Sequence, residues 1–259
     1  MPEKLTIVKI GGKVIDEPEK LSIILKDFAD LTGLKILIHG GGKKASQLME
    51  QLNIPVKMID GRRITDGPSL EIVQMVYAGL INKNIVAKLQ VNKCSAIGLC
   101  GADGNTISAH KRPVAEIDFG FVGDIDQVNT EAIIKILKNG FIPVFCALTH
   151  DGKGQLLNTN ADTVAAELGS ALAKYYEVDI IYCFEMQGVM QDINNPKSKI
   201  AHINRKNYAK LKSDSIISNG MIPKIDNAFV ALEKGVKNVF IKHYNSITVA
   251  ESGTRISEL

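Results

Sequence analysis

Two glycine-rich loops, each beside a lysine, carry the first chemical signal in this chain. KIGGKVI sets Lys9 two residues ahead of the Gly11–Gly12 pair, and HGGGKK sets Gly40, Gly41 and Gly42 ahead of Lys43 and Lys44. Glycine packs nothing and costs backbone entropy, so three together mark a backbone that must come close to something. Both loops follow apolar runs of strand length, and the second opens a helix-compatible segment. Free N–H groups and the positive end of a helix dipole bind anions at such places, and an ammonium group adds charge. For either loop alone, tight strand-to-helix turning is an equal reading; two loops with Lys9 between them favour phosphate. There is no GxxxxGK[ST] loop and no GxGxxG opening a helix, which argues against a nicotinamide dehydrogenase. Further on, LLNTNADTVAAELG places Asn158 and Asn160 before a helix and Asp162 in its first turn, where Asn and Asp serve as caps. In SNGMIPK, Gly220 and Met221 open another helix, with Lys224 one turn in.

Stepwise alternation of short apolar runs and longer amphipathic stretches must position these residues. Strands are predicted at 5–10, 35–39, 94–100, 141–148, 179–184 and 238–242, and helices at 19–32, 42–52, 69–90, 130–140, 161–176 and 221–235. Short, unalternated strands between helices describe a parallel sheet covered on both faces, a doubly wound α/β architecture. Ligands lie beyond the carboxyl ends of such strands, where both glycine loops fall. Residues 55–66 and 103–127 alternate and carry turn signals, and each reads as a hairpin over the sheet edge. A lobe boundary falls near 174–178.

Composition excludes several classes. The net charge of +3 is too small to argue for nucleic acid or a membrane surface, and the absence of Trp disfavours base stacking. No apolar run reaches the roughly 18 residues of a membrane span, and no leader precedes the first strand, so the expected compartment is the cytoplasm. Cys94, Cys100, Cys146 and Cys183 sit in or beside apolar runs without a CxxC pair and read as reduced core residues.

VKIGGKVI, ILIHGGGKKASQLM, GRRITD, LLNTNADTVAAELG and SNGMIPK, closed by GTRI, occur in that order. Together they resemble the acetylglutamate kinases of the amino acid kinase superfamily, from Leu5 to Ile256. The resemblance implies a three-layer αβα sandwich on a mainly parallel open sheet, with residues 1–174 binding acylglutamate and dimerising and residues 175–259 binding ATP. It implies transfer of the γ-phosphoryl group of ATP to the γ-carboxylate of N-acetyl-L-glutamate, in arginine biosynthesis. Lys9 and Lys224 match the lysines that neutralise the transferring phosphoryl group, and Asp162 the aspartate that holds both. Gly11, Gly12, Gly41 and Gly42 match glycines that meet phosphate oxygens and substrate. Arg63 matches the arginine that grips the glutamate α-carboxylate, and Asn158 the asparagine at the acylamino group. Glu185, Met186, Gln187, Gly188, Val189 and Met190, with Ile216, Ile217 and Ser218, cover the nucleotide-pocket segments. Mg2+ is implied on the ATP phosphates, with no metal ligands from the protein. A carboxylate acceptor is already ionised at neutral pH, so no general base is required.

Departures from the family pattern bear on the acyl group. FEMQGVMQD puts Glu185 where Asp is common, Asn219 stands ahead of Gly220 and Met221, and VFCALTHDGKG brings Cys146 and Leu148 to the pocket wall. Acetyl and succinyl both stay open. A succinyl carboxylate would want a further cation, with Lys43, Lys44, Lys57 and Arg62 as candidates and solvated surface charge as their plain reading. A carbamate kinase has no use for Arg63 and Asn158, and a non-catalytic amino-acid sensor should lack Lys9, Lys224 or Asp162. The strand beginning near residue 5 leaves no room for the extra N-terminal helix of arginine-inhibited hexamers. The expectation is therefore a homodimer without strong arginine feedback. The helix over 69–90 is its candidate face, with burial against the chain's own sheet as the equal alternative.

Overall fold

The computed structural model describes residues 2–59, 61–192, 194–195, 197–214, 216–217 and 221–258. In chain order the elements are β1 (Lys4–Ile10), α1 (Gly12–Asp16), α2 (Pro18–Asp30), β2 (Leu34–His39), α3 (Gly42–Gln51), β3 (Met58–Ile59), β4 (Arg62–Arg63), α4 (Gly67–Gln74), a π-helix (Met75–Ile81) and α5 (Asn82–Val91). There follow β5 (Ala96–Leu99), β6 (Ile107–Lys111), β7 (Gly123–Val128), α6 (Thr130–Lys138), β8 (Ile142–Cys146), β9 (Leu148–His150), β10 (Leu156–Asn158) and α7 (Ala161–Leu172). The remainder are β11 (Glu177–Phe184), β12 (Val189–Met190), β13 (Lys199–Ile200), β14 (His202–Ile203), α8 (Arg205–Ser213), α9 (Ile222–Glu233), β15 (Asn238–His243) and β16 (Thr254–Ile256).

Two compact units result, one made of Met1–Ile36 with Ala165–Leu259, the other of Leu37–Val164. They are interleaved along the chain and not consecutive. The physical reason is β1, whose residues Lys4 to Ile10 pair in parallel with Glu177 to Cys183 of β11. That pairing gathers the first 36 residues to the C-terminal segment. In the first unit the strand order is β14-β16-β15-β11-β1. Leu5, Ile7, Val8 and Ile10 of β1 and Val178 and Ile180 of β11 are fully buried. Strands buried on both faces are what continuous apolar runs produce in a parallel sheet. The α2 face carrying Ile24, Leu25 and Phe28 is buried too. Its carboxyl end is closed by Lys35, whose Nζ donates to the carbonyls of Ala29 (2.6 Å) and Leu31 (2.9 Å).

The second unit orders β2, β8 and β5 in parallel register, with Leu37 opposite Val144 and Ala96 opposite Ile142. It also holds a four-stranded sheet in the order β10-β9-β6-β7. The mainly parallel α/β reading therefore holds, with differences of detail. The hairpin expected at 103–127 forms as β6 and β7, but β9 and β10 extend it into a sheet. The strand expected at 141–148 breaks at Ala147 into β8 and β9. The single helix expected at 69–90 is α4, the π-helix and α5 in succession. No described helix is long and apolar enough to cross a membrane. The four cysteines are free thiols, and burial pushes those of Cys146 and Cys183 up.

α4 starts where the Asp66 carboxylate accepts the Ser69 N–H at 2.9 Å, with Pro in its first turn. Those donor bonds, from Ser69 above all, hold the Asp66 carboxyl below the usual range. Replacing a capping aspartate by alanine removes about 1 kcal/mol. Asp66→Ala is accordingly expected to lower the unfolding free energy, measured by urea titration at pH 7, by that amount. The loss should shrink as the pH falls through the range in which the wild-type carboxylate itself takes up a proton.

Candidate active site

The residues that the resemblance assigns to the acylglutamate assemble within the second unit. Arg63, on β4, is only 7% exposed. Its Nη2 donates to the Gly42 carbonyl (2.8 Å) and to Ser46 Oγ (2.7 Å), and its Nη1 lies 3.2 Å from Met49 Sδ. These hydrogen-bond partners among the described residues are all neutral. Thr65, two residues on and fully buried, links Arg63 to Asn158. Its Oγ1 lies 3.4 Å from the Arg63 carbonyl and accepts from Asn158 Nδ2 at 3.0 Å. The backbone of Asn158 is itself fixed, its N–H on the Phe121 carbonyl at 2.9 Å. Three segments far apart in sequence thus meet around one guanidinium. An isolated charge out of water is costly unless paired, so this arrangement suits an incoming carboxylate.

The HGGG loop is anchored from below. His39 is fully buried. Its Nδ1 is 2.8 Å from the Gly40 carbonyl, its Nε2 is 3.0 Å from Asn82 Nδ2, and Asn82 Nδ2 is 2.9 Å from the Val144 carbonyl. Carbonyls only accept, so Nδ1 carries the proton, Asn82 donates, and the imidazole is neutral with Nε2 as acceptor. Burial pushes its pKa down to about 4. Gly41, at φ 157°, is a glycine for packing reasons, since a Cβ there would lie 2.4 Å from Ile81 Cδ1 and 2.9 Å from Tyr77 Cδ1.

Asp162 is also in the second unit, buried in the first turn of α7. The cap of α7 is Asn160, whose Oδ1 accepts from the N–H groups of Asp162 (2.8 Å) and Thr163 (3.1 Å). Helix capping therefore does not account for the Asp162 carboxylate.

The residues that the resemblance assigns to ATP belong to the first unit. Lys9 is buried on β1 opposite Tyr182 of β11. The Gly11 N–H donates to the Cys183 carbonyl at 2.9 Å, and a Cβ at Gly11 would sit 3.2 Å from that oxygen. A Cβ at Gly12 would meet nothing within 4 Å, so packing places no such demand there. Glu185, Met186, Gln187 and Gly188 form the loop after β11, and Val189 and Met190 make β12. Thr254 of β16 organises this loop, its Oγ1 accepting from the Val189 N–H at 2.8 Å and donating to the Ile200 carbonyl at 2.6 Å. The N–H groups of Ile216 and Ile217 both reach the Leu211 carbonyl, at 3.0 and 3.3 Å. Ser218 lies outside the described residues. Lys224 stands in the first turn of α9, two residues before Asp226, whose Oδ1 accepts the Tyr208 hydroxyl at 2.8 Å. Sequence reading missed His39, Thr65, Asn82, Tyr208 and Thr254. The GRRITD and GTRI motifs contain two of them, but nothing local signals partners tens of residues away.

A model described as the amino acid kinase family matches residues 4–243. The chain is 53% identical over 246 residues to the acetylglutamate kinase of Cytophaga hutchinsonii, covering 95% of this chain and 93% of that one. It is 48% identical over 258 residues to that of Phocaeicola vulgatus, covering all of both. Among solved structures, the smu.665 protein of Streptococcus mutans superposes with a TM-score of 0.80 at 28% identity, covering 98% of each chain.

The neutral His39 makes a pH prediction. Its pKa is lower folded, about 4, than unfolded, about 6.5, so acid protonates the unfolded chain first. Stability from this group is whole above pH 6.5, declines as the pH falls to about 4, and amounts to on the order of 3 kcal/mol. Urea unfolding of the wild type and of His39→Gln between pH 7.5 and 4 should show a shallower pH dependence in the variant.

Proposed function

Because the chain belongs to the amino acid kinase family, we propose that it transfers the γ-phosphoryl group of ATP to the γ-carboxylate of N-acetyl-L-glutamate, in the cytoplasm and as a step of arginine biosynthesis. The relatives from Cytophaga hutchinsonii and Phocaeicola vulgatus are named acetylglutamate kinase, and the match covers 93% and 100% of their lengths. The structural observation that carries the reading is Arg63, a buried guanidinium among neutral groups at the edge of a glycine loop. A carboxylate supplies the charge that this pocket lacks, and Asn158, tied to Arg63 through Thr65, offers an amide to the acylamino group.

The acceptor carboxylate has a pKa near 4.3 and is ionised at pH 7, so no base need deprotonate it. The barrier is the approach of two anions, with charge spreading over the phosphoryl oxygens as bonds rearrange in line. Preorganised positive groups and N–H donors aimed at that charge are the effective catalysts. Lys9 and Lys224 supply the ammonium groups, and Asp162 completes the set as its one acid. Gly11 and Gly12 with residues 185–190 and 216–218 receive the nucleotide, and Gly41 and Gly42 lie on the acceptor side. Gly12 supports this division, since the fold has room for a side chain there and a phosphate approaching its N–H would not. The ammonium and N–H groups fit ATP phosphates and not a bare metal ion. Mg2+ carried on the ATP phosphates would supply further charge neutralisation.

Lys9→Ala and Lys224→Ala should each lose about 10²–10³ in kcat while remaining folded by circular dichroism. A coupled ADP-release assay offering N-acetylglutamate, N-succinylglutamate, glutamate and carbamate is expected to show turnover with the first. Turnover with carbamate alone would sink the proposal.

The protein is further proposed to be a homodimer through the α4–π–α5 face, where Met75, Leu80 and Val91 are 57%, 47% and 82% exposed. Sedimentation equilibrium should give twice the mass of the chain, and Leu80→Asp should shift it toward the monomer.

A further inference from the structure

The segment that carries Arg63 and the one that carries Asn158 are fastened to the same short stretch of chain, residues 119–122, just ahead of β7. The Thr65 N–H donates to the Phe119 carbonyl at 2.9 Å, and the Phe121 N–H donates to the Thr65 carbonyl at 2.7 Å. Together these bonds form a parallel bridge between Thr65 and Gly120. The Phe121 carbonyl accepts the Asn158 N–H at 2.9 Å, and Val122 bridges Asn158 in parallel. Phe121 thus holds Thr65 through its N–H and Asn158 through its carbonyl. The Asn158 side chain closes the triangle, Nδ2 donating to Thr65 Oγ1 at 3.0 Å. Gly120 is what lets this stretch come so close. Its φ is +70°, and a Cβ on it would lie 2.2 Å from the Thr65 carbonyl oxygen and 2.8 Å from the carbonyl carbon. Both are backbone atoms, so no change of rotamer relieves the clash. The turn is braced as well. Asp118 Oδ1 accepts the Gly120 N–H at 2.8 Å. Arg112, paired with Asp124 through Nη2 at 2.6 Å and Nε at 3.1 Å, lies over the Phe119 ring, 5.4 Å from its centre.

We propose that Gly120 is a positioning residue of the acylglutamate subsite: its lack of a side chain lets residues 119–121 dock on Thr65, and that docking sets the spacing between Arg63 and Asn158. The inference rests on the function proposed above for its ligand, but not for the docking itself. The ligand is what makes the spacing matter. In an N-acylated amino acid the α-carboxylate and the acylamino nitrogen hang on one carbon, and no torsion changes their separation. A substrate therefore cannot follow a guanidinium that has moved relative to Asn158, and one of the two contacts weakens. The γ-carboxylate stands beyond two methylenes and keeps its freedom to reach the phosphoryl group. The loss falls on binding of the acceptor and not on ATP.

Gly120→Ala adds the one atom that the Thr65 carbonyl excludes. The Michaelis constant for N-acetylglutamate is expected to rise about tenfold, the loss of one hydrogen bond to a charged group. The Michaelis constant for ATP should hold. A variant that merely lost stability would show less active enzyme with both constants unmoved. A folded Gly120→Ala with an unchanged acceptor constant, or with equal rises in both constants, overturns the proposal. Asp118→Ala removes the brace on the turn and adds no atom where it docks, so it carries the test if Gly120→Ala does not fold. Its acceptor constant should rise about threefold, the loss of one neutral hydrogen bond, with the ATP constant unmoved; no rise overturns the proposal. The docking is also read without substrate, by amide hydrogen exchange in NMR. The Thr65 and Asn158 N–H groups should exchange faster in Asp118→Ala than in the wild type, while those of β2 and β8 keep their rates. Should the wild type turn over no acylglutamate, the activity reading fails by itself. Unaltered exchange at Thr65 and Asn158 would still defeat the role given to the turn at Gly120.

Discussion

A positive charge buried among neutral groups is the constraint around which the second unit is organised. Arg63 is drawn from water, yet its hydrogen-bond partners among the described residues are a carbonyl, a hydroxyl and a thioether. Such a group is tolerated because each of those contacts restores part of its lost hydration, and it is useful because none of them cancels its charge. Four elements contribute. The β3–β4 hairpin carries the arginine, α3 supplies Ser46 and Met49, the π-helix supplies Tyr77, and β10 brings Asn158 through Thr65. The wide turn at Met75–Ile81 belongs to the same arrangement, since Tyr77 and Ile81 both close on the loop that Arg63 binds.

In the first unit the organising fact is register. β1, β11 and β15 run in parallel with Ile10 opposite Cys183 and Phe184 opposite His243, so their carboxyl ends stand level. The loops that follow β1 and β11 are therefore neighbours, and the Gly11 N–H seals them by bonding to Cys183. The glycines of the chain then divide by cause. Gly11, Gly41 and Gly188 are small because the fold leaves no room, and Gly188, at φ 146°, also adopts a backbone conformation that side chains resist. Gly12 has room, so packing does not account for its identity.

His39 shows how a polar group beneath a binding loop is made compatible with a dry interior. The ring is kept neutral, its two nitrogens are used in opposite senses, and Asn82 joins it to β8. The Asn82 side chain in turn requires Gly98, where a Cβ would fall 1.9 Å from its Oδ1. That Oδ1 finds no hydrogen-bond partner among the described residues, a cost typically of 1–3 kcal/mol accepted for a network that specifies one position for the loop. Buried polar networks of this sort fix a unique arrangement more than they add stability.

Much of the chain was legible as sequence. The apolar runs at 5–10, 35–39, 179–184 and 238–242 became the parallel strands, because a strand buried on both faces has no polar face to alternate with. The motifs pointed to the family, because they occur in one fixed order over nearly the whole chain, and the match over residues 4–243 agrees. Other features were decided only in three dimensions. No local pattern tells β1 to pair with β11 across more than 160 residues, a match that interleaves the two compact units. Nor does any spacing reveal that Asn160 rather than Asp162 caps α7, that the helix after Asp66 widens into a π turn, or that Tyr77 packs on Gly41. Residue type records what a side chain is able to do, and period records which way it faces; which distant groups it meets depends on strand order and helix packing, and those are properties of the folded chain as a whole.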